Sequence, residues 1–240
     1  MASLLYVGQD PRIPTIVDEF FKNRQKDAGE VNAISIAKDE KSFEESLVGI
    51  SFDLILIEQL MTGAAPNDWI EKFRKKKPDM KSALVLVGDE RDPVKILKYL
   101  EAGFKDYLVM PPDRPILIEK IGLYTTGTRS RDVRQVYSLS MSQQADVAKP
   151  GHIEEMSEFD CKVRSLVSYA LEDLVLLYSV AFGADMKVTG SALCRCYKTE
   201  VHPGFKGQFL NSFYFVGIAP ETLQSIRTSL RKSYVSSKSR

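Results

Sequence analysis

Phe52-Asp53-Leu54-Ile55-Leu56-Ile57 is a short apolar segment that runs into a polar pair, Glu58-Gln59. It is the third of five such segments in the first 125 residues; the others are Leu4–Val7, Val31–Ala37, Ala83–Val87 and Tyr107–Val109. Between them lie stretches with helical spacing or helical caps. Pro11–Asn23 places Ile13, Ile16, Val17 and Phe20 at the interval of one helix face. Asp39–Leu47 and Asn67–Arg74 follow. Asp92-Pro93 opens a fourth helix with an acidic cap and a proline at its first position, and Gly103 stops it. Ile116–Leu123 is the fifth. Five strands alternating with five helices predict a doubly wound parallel sheet covered on both faces. In such sheets function gathers at the carboxyl ends of the strands. Those ends are Gly8-Gln9-Asp10, Glu58-Gln59, Gly88-Asp89 and Met110-Pro111.

Thr125–Arg134 changes character: it is polar, contains Gly127 and three arginines, and reads as a linker. It divides the chain into an α/β domain, residues 1–126, and a β-rich domain, residues 127–240. The β segments of the second part are Val136–Met141, Ala145–Ala148, His152–Ser157, Cys161–Ser168, Leu174–Phe182, Val188–Val201 and Gln208–Ile218. Turn residues such as Lys149-Pro150-Gly151 and His202-Pro203-Gly204 separate several of them. Many β segments at short spacing predict a small barrel or sandwich. One helix follows, with Leu223, Ile226, Leu230 and Tyr234 on a single face.

Composition narrows the function. The chain carries 33 basic and 32 acidic residues, a net charge of +1, which argues against a bulk nucleic-acid or membrane surface. No apolar run approaches the roughly 18 residues that span a bilayer. Met1–Val7 has the look of a first strand rather than a secretory leader, so a cytoplasmic setting is expected. The run Arg74-Lys75-Lys76-Lys77 reads as a solvated helix end, where cations suit the macrodipole. Cys161, Cys194 and Cys196 are read as reduced thiols, and with only His152 and His202 beside them no metal site is expected. There is no G-x-G-x-x-G, P-loop, G-x-S-x-G or H-E-x-x-H, and the expectation is a protein that is not an enzyme.

The landmarks of the first half resemble those of the response-regulator receiver domain. Leu4–Val7 resembles its first strand, and Phe52–Ile57 the strand leading to the phosphoacceptor aspartate. Ala102-Gly103 with Asp106-Tyr107-Leu108-Val109-Met110-Pro111 resembles the family's Ala-Gly…Tyr…Lys-Pro ending. The resemblance implies a pocket of two metal-binding acids, an aspartate nucleophile, a hydroxyl residue and a lysine. Mg²⁺ needs carboxylate oxygens, and lysine and metal together neutralise a transferring phosphoryl group. Here the acidic pair falls on Gly8 and Gln9, with Asp10 one place late. Glu58 stands at the nucleophile, Gly88 at the hydroxyl and Met110 at the lysine. The expectation is a pseudo-receiver that accepts no phosphoryl group. Glu58 is either a partial imitation of phosphoaspartate or simply a solvated or hydrogen-bonded glutamate. The resemblance also implies a partner-facing surface on the fourth and fifth helices and fifth strand: Lys95, Lys98, Tyr99, Tyr107, Glu119 and Lys120.

The second half resembles a degenerate PilZ domain, a small bacterial β-barrel that often binds cyclic diguanylate. Gly151–Cys161 is similar to the segment carrying that family's D/N-x-S-x-x-G, and Ser212–Ile218 with the helix after Pro220 to its last strand and capping helix. The family's paired arginines implicate Arg129, Arg131 and Arg134, although Ser130 holds the place of the first of them if Arg134 is the second. Ser157 is retained, while Glu155 and Asp160 replace a small polar residue and a glycine. Two readings follow from these resemblances. One is a non-enzymatic bacterial signalling protein that contacts another signalling protein or a second copy of itself, with no cofactor, no nucleic acid and no membrane insertion. The other is an effector that still binds cyclic diguanylate through its divergent arginines.

Overall fold

A computed structural model of the chain describes residues 3–28, 33–48, 50–63, 65–126, 137–146, 150–183 and 189–238. The chain divides into two compact units, Met1–Asp132 and Val133–Arg240.

In the first unit β1 (Ser3–Val7), β2 (Ala33–Ala37), β3 (Leu54–Glu58), β4 (Ala83–Gly88) and β5 (Asp106–Val109) form one sheet in the order β2-β1-β3-β4-β5. Every pairing is parallel. This is the doubly wound order of flavodoxin-like folds, the group that includes CheY, whose ligands sit at the β1/β3 switch point. The helices are α1 (Arg12–Ala28), α2 (Glu40–Ser46), α3 (Pro66–Lys76), α4 (Pro93–Glu101) and α5 (Arg114–Thr126). Residues of β1, β3 and β4 are buried on both faces, which is why these strands read as unbroken apolar runs.

Local chemistry sets the helix boundaries. Asp39 and Ser42 form a reciprocal capping box at the start of α2. Asp92 accepts from the Val94 amide at 2.9 Å, Pro93 occupies the first turn of α4, and Gly103 follows its end at φ 123°. Three of these helices, α1, α3 and α5, are longer than their apolar spacing implies, because the added residues are mostly polar. α5 in particular includes Thr125 and Thr126, which read as linker. It is tied to the sheet by Asp106, fully buried at the start of β5. That carboxylate accepts from Lys120 Nζ, from the Tyr124 hydroxyl at 2.8 Å and from the Tyr107 amide at 2.8 Å.

The second unit is a closed antiparallel barrel in the order β10-β11-β8-β7-β6-β9. Its strands are β6 (Tyr137–Asp146), β7 (Pro150–Met156), β8 (Asp160–Ser165), β9 (Leu174–Ser179), β10 (Gly190–Val201) and β11 (Phe209–Phe215). Closure rests on a short seam in which Ala145 faces Ser179 and Asp146 faces Tyr178. Two segments expected as separate strands, Val136–Met141 and Ala145–Ala148, fall within the single strand β6 over their described residues, 137–141 and 145–146. The polar Ser142-Gln143-Gln144 hides its continuity, and the register against β7 shifts between Ser138 and Gln143. Leu174–Phe182 is strand only to Ser179, whose side chain then caps a 3-10 turn by accepting from the Ala181 amide. Val163, Leu177, Phe213 and Phe215 fill the interior, and Ile226 and Leu230 of α6 (Pro220–Lys238) join the same core. Leu223 is buried on the same helix; the side chain of Tyr234 lies outside the described residues.

Asn211 holds one end of the barrel. It is completely buried on β11, and its Nδ2 donates to Val167 O at 2.9 Å and Ser165 Oγ at 3.1 Å. Its Oδ1 accepts from Thr199 Oγ1 at 2.9 Å and from the Tyr169 amide at 3.2 Å. One side chain thus satisfies groups on β8, β10 and the loop after β8. Asn211→Leu keeps the branched shape but orphans several buried donors and acceptors, so it is expected to destabilise the barrel by about 2–4 kcal/mol. Chemical denaturation followed by circular dichroism measures this; a loss under about 0.5 kcal/mol, the range of a neutral surface change, would contradict it.

Candidate functional site

The carboxyl ends of β1, β3, β4 and β5 bring Gly8, Gln9, Asp10, Glu58, Gly88 and Met110 to one rim of the first unit. Glu58 is the last residue of β3 and is only 6% exposed. Its Oε1 accepts from the Tyr6 hydroxyl and from the Asp10 amide at 2.9 Å, and its Oε2 accepts from the Gln9 amide at 3.0 Å. Of the two sequence readings of Glu58, the hydrogen-bonded glutamate matches this geometry. Tyr6 is itself buried, and its phenol pKa is raised by that burial and then by the Glu58 bond and charge. It therefore stays a donor. Residues i and i+2 of a strand share a face, which aims Tyr6 past Gly8 toward Glu58.

In this packing a side chain at position 8 or 88 would have to displace its neighbours. A Cβ on Gly8 would lie 2.5 Å from Glu58 Cδ and 2.6 Å from Tyr6 Oη. A Cβ on Gly88 would lie 2.3 Å from Gln59 Oε1 and 2.6 Å from Tyr107 Oη. Asp10, the one acid near the metal position, is committed elsewhere: Arg12 Nε donates to both carboxylate oxygens at 3.0 Å. Those bonds hold the Asp10 carboxyl below its ordinary pKa despite some burial. Met110 offers a thioether at the lysine position, and its amide donates to Gly88 O at 2.8 Å. Among the described residues no cluster of three or more His, Cys, Asp or Glu is placed to hold a metal ion.

Tyr6 and Arg12 were not singled out from the sequence, and Gln59 only as part of the strand end Glu58-Gln59. Only Tyr6 left a signal, its position two residues before Gly8. The expected partner surface needs correction. Tyr107 and Glu119 are buried, as is Lys120 on Asp106, because β5 is covered by its neighbouring helices. Tyr107 stacks on Tyr99 with centroids 5.9 Å apart and accepts from the Glu90 amide at 2.8 Å. Lys98 is exposed, Tyr99 half-buried, and Lys95 pairs with Glu90 at 3.2 Å.

In the barrel, Arg129, Arg131 and Arg134 lie outside the described residues. Ser157 is buried and engaged within its own turn: its Oγ accepts from the Phe159 and Asp160 amides, both at 3.1 Å, and donates to Asp160 Oδ1. Tyr197 donates to the other Asp160 oxygen at 3.1 Å. Among the described non-glycine residues only Glu172 has a positive φ, so the turn at Asp160 does not require glycine. Glu155 pairs with Lys162 across strands at 2.7 Å. Cys161, Cys194 and Cys196 are free and buried; the Cys161 thiol pKa is pushed up by its bond to Cys194 and by burial, which disfavours a reactive thiolate.

A second polar cluster lies by the β10–β11 turn. Glu154 accepts from Arg164 Nε at 2.6 Å, and its other oxygen lies 3.1 Å from His202 Nε2. His202 Nδ1 accepts from the Gly204 and Phe205 amides at 3.0 and 3.1 Å, which assigns the proton of the neutral ring to Nε2. The Arg164 guanidinium sits over the Phe205 ring at 4.1 Å.

No protein-family model matches the chain, and no curated protein matches it. Solved structures match its first half. The signal receiver domain of a DNA-binding response regulator from Colwellia psychrerythraea is 13% identical, TM-score 0.42, covering 50% of this chain and 95% of that one. The chemotaxis response regulator CheY4 of Vibrio cholerae is 20% identical, TM-score 0.41, covering 50% and 96%. The receiver domain of the Saccharomyces cerevisiae regulator Ssk1, solved with Ypd1, is 17% identical, TM-score 0.42, covering 55% and 94%. The assignment of a receiver-like fold rests on the strand order and connections described above.

Glu154 also makes stability depend on pH. Burial raises its pKa, but the hydrogen bonds from Arg164 and His202 and the Arg164 charge outweigh it and leave the carboxyl below its ordinary value. A depressed folded-state pKa gives stability that is present above the unfolded value and lost as pH falls through the folded one. Barrel stability should therefore fall as the pH drops through and below the ordinary glutamate range, and Glu154→Gln should flatten part of that slope while lowering stability at pH 7. Equal slopes for the two proteins in denaturant titrations would count against this role.

Proposed function

We propose that this chain is a non-enzymatic bacterial signalling protein of the cytoplasm that acts through protein contacts. Its first unit is a pseudo-receiver and its barrel a degenerate PilZ-like domain. The observation that carries the reading is the occupied pocket: Glu58 is surrounded by Tyr6 and two backbone amides, and Asp10 is held by Arg12. A phosphoryl group needs an exposed nucleophile, a bound Mg²⁺ and a cation, and each of those positions is filled by a group with a different task. What remains for a receiver-like unit in that state is its surface. Incubation with acetyl phosphate and Mg²⁺ should leave the intact mass unchanged, and beryllofluoride should leave the melting temperature unchanged. A stoichiometric phosphoprotein abolished by Glu58→Ala would overturn the proposal.

A second reading is favoured by one specific feature. Arg129, Arg131 and Arg134 immediately precede a closed six-stranded barrel that packs a C-terminal helix into its core. Guanidinium groups on such a lead-in could wrap the phosphates and stack on the bases of cyclic diguanylate. Against it, the Ser157 oxygen is already used by its own turn and the Asp160 carboxylate brings a like charge to the ligand's side. Calorimetry with cyclic diguanylate at physiological salt should show no binding at about micromolar or tighter affinity. Binding of that strength, weakened by Arg134→Ala, would replace the first reading with an effector.

A further inference from the structure

The carboxyl rim is closed, but the flank of the first unit is open between α2 and α3. A groove of about 540 Å³ lies there, with Phe43, Leu47, Trp69 and Phe73 on its floor. The floor is a continuous aromatic layer: Trp69 stacks on Phe73 with centroids 5.0 Å apart and planes 6° apart, and Phe43 stacks on Phe73 at 5.5 Å. Val48 stands at one end with 73% of its surface exposed.

The two walls carry opposite charge. α2 supplies Glu40, Glu44 and Glu45, while α3 and its last turn supply Lys72, Lys76 and Lys77. One intrachain pair, Lys76 with Glu44, bridges the walls. Glu45 reaches Lys41 on its own helix only at 3.9 Å, with both side chains largely exposed. Among the described residues Glu40, Lys72 and Lys77 hold no ion-pair partner. An acidic ridge, a basic ridge and an apolar floor are self-complementary under one symmetry operation. A two-fold axis running along the groove lays the α2 wall of one copy over the α3 wall of the other, and the reverse. Isologous interfaces of this kind need such a match of a patch to itself. A partner with a uniformly acidic or basic face would meet one repelling wall.

We propose that this face pairs two copies of the chain, with α2 and α3 of each forming a four-helix cluster that meets through the exposed Val48 and half-buried Trp69, above the buried Phe43, Leu47 and Phe73. This goes beyond the proposed function, which needs no self-association. α2 has 7 residues and α3 has 11. At about 1.5 Å of rise per residue these are short helices. The interface therefore falls at the small end of specific contacts and the dimer is reversible. Because both wall pairs are exposed, added salt weakens it.

Charge reversal tests the geometry. One variant, Lys72→Glu with Lys77→Glu, makes both walls acidic; another, Glu40→Lys with Glu45→Lys, makes both walls basic. Glu40, Glu45 and Lys72 are exposed and Lys77 is half-buried, and thermal melts check that each variant keeps its fold. Sedimentation velocity on the full chain, up to about 100 µM, where a dimer of micromolar Kd is fully formed, should show concentration-dependent self-association of the wild type. It should be several-fold weaker at about 500 mM than at about 50 mM salt. Each variant alone should sediment as a monomer, and an equimolar mixture of the two should form a one-to-one dimer. A wild type that stays monomeric overturns the proposal. So do variants that self-associate like the wild type, or a mixture that does not associate.

Discussion

A carboxylate at the end of a strand buried on both faces must be met by hydrogen-bond donors, since an unpaired buried charge costs far more than a domain's margin of stability. Glu58 is that carboxylate, and the carboxyl rim of the first unit is arranged around it. Tyr6 must reach it, so Gly8 must have no side chain. The Gln9 and Asp10 amides must turn inward, so the Asp10 carboxylate turns outward to Arg12. On the next strand Gln59 and Tyr107 close over Gly88. The departures from the receiver pattern at these positions are thus coupled. Restoring an acid at position 8 would collide with Tyr6 and Glu58, and restoring a hydroxyl at position 88 would collide with Gln59 and Tyr107.

The barrel meets the same requirement with neutral groups and compensated charges. Asn211 satisfies backbone and hydroxyl groups that strand pairing leaves over, and Ser157 with Asp160 does so at the β7–β8 turn. Charged residues on the outer face are met across strands, as Glu155 is by Lys162. Glu58 at the end of β3 and Ser157 just past β7 sit where the ladder stops and backbone groups need partners.

Much of this was legible in the sequence, and the divide is physical. Strands buried on both faces announce themselves as apolar runs, and Asp39, Asp92, Pro93 and Gly103 mark helix ends by local chemistry. Strand β6 was read as two because its central residues are polar, and the length of α5 was missed because its last turn is Thr-Thr. The departures from the receiver pattern at positions 8, 9, 88 and 110 could be read from spacing. What fills them could not, because Tyr6 and Glu58 are 52 residues apart in the chain and meet only once β1 and β3 are side by side. Tyr107 was placed on the surface from its likeness to a family landmark, whereas burial depends on the packing around β5.

The aromatic layer under the α2–α3 groove has a practical optical consequence. Trp69 is the single tryptophan of the 240 residues, and its indole stacks on Phe73 within the first unit. Under selective excitation at the red edge, intrinsic emission therefore originates in that unit alone. A fluorescence trace of unfolding would follow the α/β half while the barrel, lit only by tyrosines, stayed dark.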